Sequence, residues 1–338
     1  MPAVLLGPAS DTWRTLLDDA ARSVSASPDL EAALAFARNA GRSAPHPGGG
    51  QTRQLWELLA TAASADLTVA RVLEPHLDAL AIRAQAGLDR DTDHTWGVYA
   101  AEGPGSKVTA TESPDGWRLD GAKPWCSLAA HLDRALITAH TGDSRRLFEI
   151  DLRHDGVTVA EGEWVARGLA QVTSSGIELS GVSAEPVGDD GWYLTRAGFA
   201  WGGMGVAAVW FGGAVALARS LKTAHDKREP DQIGVMILGE VDVLLHSCRT
   251  VLAAAAASVD AGAEHPDVLA QRVRSTVSSA AERISTIVGH AIGPAPLAMN
   301  EDHARRVADL HLYLRQDHAE RDLARLGTKL LALEGTPW

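Results

Sequence analysis

The 338-residue chain predicts an α+β multidomain fold on three observations. An opening stretch carries apolar residues at helical spacing, a middle stretch shortens its period to two, and a closing stretch returns to long helical segments. We expect an N-terminal helical domain over 1–93, a central antiparallel β-barrel or sandwich over 94–190, and a C-terminal four-helix bundle over 191–338.

In the first domain, "TRQLWELLATAASADLTVARVLEPHLDALAIRAQAG" places Leu55, Leu58 and Leu59 on one stripe and Leu67, Val69, Val72 and Leu73 on the next. Asp66 reads as the cap of the second of these helices, and Pro75 as a turn or helix start. The glycine triplet in "SAPHPGGGQ" marks a loop between helices. In the middle domain, "TWGVYA", "KVTATES", "WRLDGA", "RALITAH", "RRLFEID" and "GIELSGVSAEPV" are short alternating runs. The pairs Asp115-Gly116, Asp120-Gly121 and Asp155-Gly156 read as turns between them. The last domain predicts four helices over about 196–226, 233–262, 266–290 and 301–333. Within it, "GFAWGGMGVAAVWFGGAVALARSL" carries Gly202, Gly205, Gly212 and Gly213. These glycines serve either close helix–helix packing, the first reading, or a groove for a ligand chain.

Composition narrows the function. With 46% hydrophobic and 22% charged residues, the chain reads as globular. No apolar run approaches the roughly 18 residues of a membrane span. A net charge of −12 with no basic cluster argues against nucleic acid. The N-terminus lacks a basic signal-peptide region, and Cys126 and Cys248 are too few for a disulfide scaffold, so we expect a cytoplasmic protein. Walker, HExxH, CxxC and GxSxG motifs are absent from the sequence. His303, His311 and His318, with arginines between them, read as solvated helix positions; we expect no metal site.

Two middle segments carry candidate chemistry. "VYAAEGPGSKV" takes Glu102 through a glycine-rich turn to Ser106, which lets backbone N–H groups approach a flat or anionic ligand, or simply closes a hairpin. "GAKPWCS" sets Trp125 two residues before Ser127, an aromatic plane beside a hydroxyl. By itself this is either a core tryptophan with a satisfied serine or one edge of a conjugated ring site.

The domain order and these two segments resemble the acyl-CoA dehydrogenase family of flavoproteins. "AAEGPGS" resembles its strand ending Thr-Glu with a turn to Ser, one residue shorter and with Ala101 in place of the Thr. "GAKPWCS" resembles its G-x-K-x-W-I-T/S motif at Gly121, Lys123, Trp125 and Ser127. The resemblance implies FAD, held by Ala101, Glu102, Ser106, Trp125 and Ser127, with Ser106 also facing substrate. It implies removal of an α-proton from an acyl thioester while a β-hydride passes to the flavin. It also implies a small-molecule substrate, first acyl-CoA, and a homodimer or homotetramer, or a heteromer with a related chain.

Ala101 is one of three departures from the family; the others are its R-x-x-F-G motif and its E-G-T end, which here reads Asp317-His318-Ala319. Its R-x-x-F-G motif, whose arginine meets the cofactor diphosphate, is represented only by "KREPDQIG", with Arg228. "IVGHAIG" corresponds to its glycine-rich loop, making Gly289 a substrate-site candidate. In "ADLHLYLRQDHAERD", Asp317 falls where the family places its glutamate base, and His318 beside it is a second acid or base. Asp is one methylene shorter, and about 1.5 Å of displacement costs on the order of 100-fold in rate. The same run also reads as a solvated helix face with an Asp317–Arg321 pair. Two further readings stay open beside the dehydrogenase: a reduced-flavin monooxygenase of the same fold, and a non-catalytic half-site subunit.

Overall fold

The computed structural model describes residues 2–26, 29–160, 164–262, 264–333 and 335. Helices α1 (Asp11–Ser25), α2 (Leu30–Gly41), α3 (Thr52–Ala65) and α4 (Leu67–Gln85) come first. Ser10, Asp29 and Asp66 cap α1, α2 and α4 by accepting from Trp13 N, Ala32 N and Val69 N, which satisfies amides that a helix start leaves free. Pro75 corrects the sequence reading, because it lies inside α4. It removes one helical bond, the donor to the Arg71 carbonyl. The helix persists because Leu73, His76, Leu77 and Leu80 on either side of it are buried.

The middle domain has strands β1 (Trp96–Tyr99), β2 (Val108–Ser113), β3 (Gly116–Lys123), β4 (Arg134–Thr141), β5 (Ser144–Asp151), β6 (Val157–Val159) and β7 (Ile177–Val187). Strands β4, β2, β3, β7 and β5 pair in that order, and β5 returns to β4, closing a five-stranded barrel. Alternation therefore points one face of each strand inward, as the burial of Leu119, Leu136, Leu147, Phe148 and Val182 records. Strand β1 runs parallel beside β4, and β6 pairs with β7. The parallel pairings of β4 with β1 and β2 depart from the all-antiparallel expectation.

Asp115-Gly116 does close the β2–β3 hairpin, pairing Ser113 with Gly116. Asp120-Gly121, expected as a turn, lies within β3 at a register shift. Gly121 has φ 115°, and a Cβ there would collide with the Lys107 carbonyl; the pair marks a bulge that only glycine permits. Three-residue β6 was too short for its alternation to be visible in the sequence.

The closing domain comprises α5 (Trp192–Thr195), α6 (Ala197–Lys227), α7 (Gln232–Asp260), α8 (Pro266–Ile292), α9 (Ala295–Met299), α10 (Glu301–Tyr313) and α11 (Glu320–Ala332). The fourth expected helix is broken. A 3-10 turn covers Leu314–Gln316, and Ala319 has φ 48°, so Asp317 and His318 occupy the break between α10 and α11. Gly289, expected in a loop, lies in the last turn of α8, which Gly293 ends at φ 70°. His303, expected in solvent, is buried on α10.

Helix α6 packs against α3, α4, α7, α8 and α10. It is long and apolar enough to cross a membrane, yet most of its apolar stretch is buried inside this fold. Its glycines divide between the two sequence readings. A Cβ at Gly212 would strike the Ala60 carbonyl on α3, the mark of close helix crossing, whereas Gly202 and Gly203 line a cavity.

Candidate functional site

The first part of the site is the rim of the barrel after β3. Cys126 N donates to Ser175 O at 2.8 Å and Leu128 N to Thr173 O at 2.7 Å. Trp125 and Leu128 both have left-handed backbone, φ 59° and 60°, so the loop curls instead of running extended. Trp125 and Ser127 therefore do not share a side in the way the sequence spacing implied. The curl holds the Trp125 side chain out, 64% exposed, which excludes the core-tryptophan reading.

Lys123 turns inward and donates to the Thr138 carbonyl and hydroxyl, both at 2.8 Å. Burial lowers its ammonium to about 8, with Glu102 and Cys126 opposing that shift. The Ser127 hydroxyl meets Ser174 Oγ at 2.8 Å and accepts from Arg71 on α4 at 3.2 Å. Tyr99 of β1 donates to the Ser127 carbonyl at 2.9 Å. The glycine-rich turn sits alongside, since a Cβ on Gly103 would touch Pro124.

The second part is a cavity of about 390 Å³ between α4, α6, α8 and the break before α11. Its wall includes Glu74, Asp78, Arg196, Gly202, Arg274 and His318. Burial raises the Glu74 carboxyl to about 7, opposed by Arg71, reinforced by Asp78 and opposed again by Tyr313. Tyr313 Oη donates to Glu74 at 3.4 Å, and Arg71 stands 3.8 Å from the same carboxylate. Arg274 covers the Trp210 ring at 4.7 Å and donates to the Gly203 and Gln316 carbonyls, both at 2.9 Å. Arg71 joins the two parts, reaching Ser127 on the barrel rim and Glu74 in the cavity.

The sequence candidates fall in three places. Ala101, Glu102, Ser106, Trp125 and Ser127 are brought together at the barrel rim. Glu102 there binds His140 at 2.8 Å and Arg145 at 3.1 Å. Desolvation acts against its charge, but these partners outweigh it and hold the carboxyl below its usual range. Ala101 is exposed and Ser106 half-buried.

His318 lines the cavity, with Nδ1 3.5 Å from Asp322. Asp317 accepts from the Ser278 hydroxyl at 2.6 Å, and its other oxygen is buried. The expected Asp317–Arg321 helix pair does not form, because the helix is interrupted there. Arg228 borders a separate cavity of about 670 Å³ at the far end of α6, among Glu229, Asp231, Glu240, Arg283 and His290. Gly289 lies close to that end of the bundle, one residue before His290.

Arg71, Glu74, Asp78, Arg196 and Arg274 escaped the sequence reading. A signal was present: Arg71, Glu74 and Asp78 follow helical spacing along a helix buried on almost every other side. Taking Pro75 as a helix boundary cut that stripe in two. Nothing local in the sequence brings Arg196 or Arg274 to it.

No family model and no curated protein matches the sequence. Solved structures do match. Butyryl-CoA dehydrogenase from Megasphaera elsdenii is 17% identical over 96% of this chain and 99% of its own, with a TM-score of 0.84. TdsC from Paenibacillus sp. A11-2, in complex with FMN and indole, is 17% identical over 97% and 99%, with a TM-score of 0.82. PigA with FAD and proline is 17% identical over 97% and 99%, with a TM-score of 0.80. The chain has the acyl-CoA dehydrogenase fold.

Proposed function

We propose that this chain is a flavin-dependent oxidoreductase acting on a small polar substrate held beside Glu74. The carrying observation is Arg71, one side chain that touches both Ser127 at the exposed Trp125 rim and Glu74 in the cavity. The rim residues fit a flavin ring system. Trp125 offers a free aromatic face, while Ser127 and Arg71 supply hydroxyl and guanidinium groups for a polar ring edge. Around Arg228 the fit is mixed, because Glu229, Asp231 and Glu240 oppose a diphosphate. These residues therefore do not select FAD over FMN, although FAD is the form the motif resemblance implies. The structures of PigA with FAD and of TdsC with FMN support a flavin of either kind.

A bound flavin accepts hydride from a carbon or, when reduced, reacts with oxygen. The chain's own part is proton handling and orientation. Glu74, its carboxyl raised to about 7 mainly by burial, takes a substrate proton. Tyr313 and Arg71 hold its carboxylate in place. Cavity walls bearing Glu74, Asp78, Arg196 and Arg274 favour a polar substrate.

Oxidation of an acyl thioester is the second reading, supported by the likeness to butyryl-CoA dehydrogenase. We further propose a homo-oligomer, for which exposed Ile233, Met236 and Val243 on α7 supply an apolar face, in the cytoplasm.

Expression of the chain alone tests the reading. We expect a yellow protein with one flavin per chain, whose extracted mass separates FAD from FMN. A colourless protein that takes up neither flavin would sink it, and would favour the half-site subunit. Dye reduction with an acyl-CoA panel measures the second reading. Substrate hydroxylation with reduced flavin and oxygen would identify a monooxygenase.

A further inference from the structure

We infer that the cavity recognises a small zwitterion, an amino acid or close analogue, with Asp78 receiving its ammonium and Arg196 its carboxylate. This rests on the cavity being the substrate site.

Asp78 stands one helical turn beyond Glu74, and its carboxylate borders the cavity. Among the described residues it has neither a hydrogen bond nor an ion pair within 4.0 Å, although Arg196 is near enough to act on it through space. Asp78 is half-buried, and its carboxylate opens onto the cavity without a protein donor, an arrangement a cationic ligand group would relieve. Burial accordingly pushes the Asp78 carboxyl up, with Arg196 opposing. The protein nevertheless makes room for this group: a Cβ on Gly202 would lie 2.8 Å from Asp78 Oδ1.

Arg196 is the opposite charge in the same wall. Its guanidinium bonds the Gln85 amide oxygen and lies over the Tyr193 and Trp192 rings at 5.1 and 5.6 Å. Its Nε is buried without a partner, and it forms no ion pair with a carboxylate among the described residues. Several other charges at the wall are matched. Asp267 pairs with Lys329, Asp322 with Arg325, and Arg71 lies 3.8 Å from Glu74. Arg274 donates to two backbone carbonyls and, like Arg196, forms no ion pair with a carboxylate among the described residues. One anion and one cation that face the same cavity without meeting each other call for a ligand carrying both signs. A volume of about 390 Å³ admits a molecule of that size.

The test is equilibrium dialysis of the purified full chain against three mixtures: the L-amino acids, their amides, and the matching deaminated acids. Retained compounds are read by mass. We expect retention from the amino-acid mixture, with at least tenfold weaker retention of the corresponding amide and deaminated acid. Asp78→Asn and Arg196→Gln should each weaken retention at least tenfold. Gly202→Ala, which presses on the Asp78 carboxylate without changing charge, should weaken it in the same direction and serves where a charge variant fails to fold. Equal retention of amides or deaminated acids overturns the inference, as does an unaffected Asp78→Asn or retention of no compound. Binding and flavin content are read separately. A chain that retains amino acids but never takes up flavin refutes only the redox reading, and a yellow chain that ignores them refutes only this one.

Discussion

The barrel rim and the helical cavity are neighbours built on opposite principles. At the rim, function-bearing groups are close in sequence and shaped by local backbone: exposed Trp125 and half-buried Ser127 lie two residues apart in one curled loop. In the cavity the groups come from α4, α6 and α8 and are largely enclosed, so desolvation governs their chemistry. A rim of this kind can lose a side chain without losing the fold. A cavity of this kind couples every charge to its neighbours.

The sharpest way to break this comparison is Glu74→Gln. Loss of a general base should lower turnover by about 10²- to 10⁴-fold while the flavin spectrum stays unchanged; equal turnover in the variant would move the chemistry elsewhere. Next comes Trp125→Ala. Removing an aromatic face worth about 1–3 kcal/mol of stacking should weaken flavin binding about 10- to 100-fold. The melting temperature should hardly move, since the ring is exposed; a large drop would mean that Trp125 holds structure.

The pH response separates the regions further. With Glu74 raised to about 7, turnover should fall about tenfold per unit below pH 7 as the base is protonated. Stability should run the other way. A carboxyl whose folded value lies above its free value favours folding below about pH 4.5, and this contribution is lost as pH rises through about 7. Glu74→Gln should flatten both slopes, and a pH–rate profile with parallel melting curves checks the pair. The smallest effect belongs to Asp317→Asn. Its carboxylate is engaged by Ser278 and lies outside the cavity lining. We expect under about threefold change in turnover and about 1 kcal/mol lost from that hydrogen bond. A hundredfold loss would restore Asp317 as the base.

The rim was legible because its determinants are local. The glycine-rich turn and the Lys-Pro-Trp-Cys-Ser run are each short and continuous in the chain, and strand alternation placed both within the β-domain. Its curl was not legible, because positive φ at Trp125 and Leu128 depends on anchoring by Thr173 and Ser175. The cavity was hidden for a related reason. Pro75 has a strong intrinsic bias against helix interiors, and only the burial of Leu73, His76, Leu77 and Leu80 around it carries α4 onward.

By itself, the sequence determined the succession of helical, barrel and helical domains, most element positions and the two barrel-rim motifs. Periodicity and turn chemistry act over a few residues, and their signals survive without tertiary context. Only the tertiary structure decided that α10 and α11 are separate, that Gly212 seats α6 on α3, and that Glu74, Asp78, Arg196 and Arg274 face one space. Those outcomes depend on which distant side chains exclude water from one another, and a carboxylate acquires an unusual proton affinity only once they do.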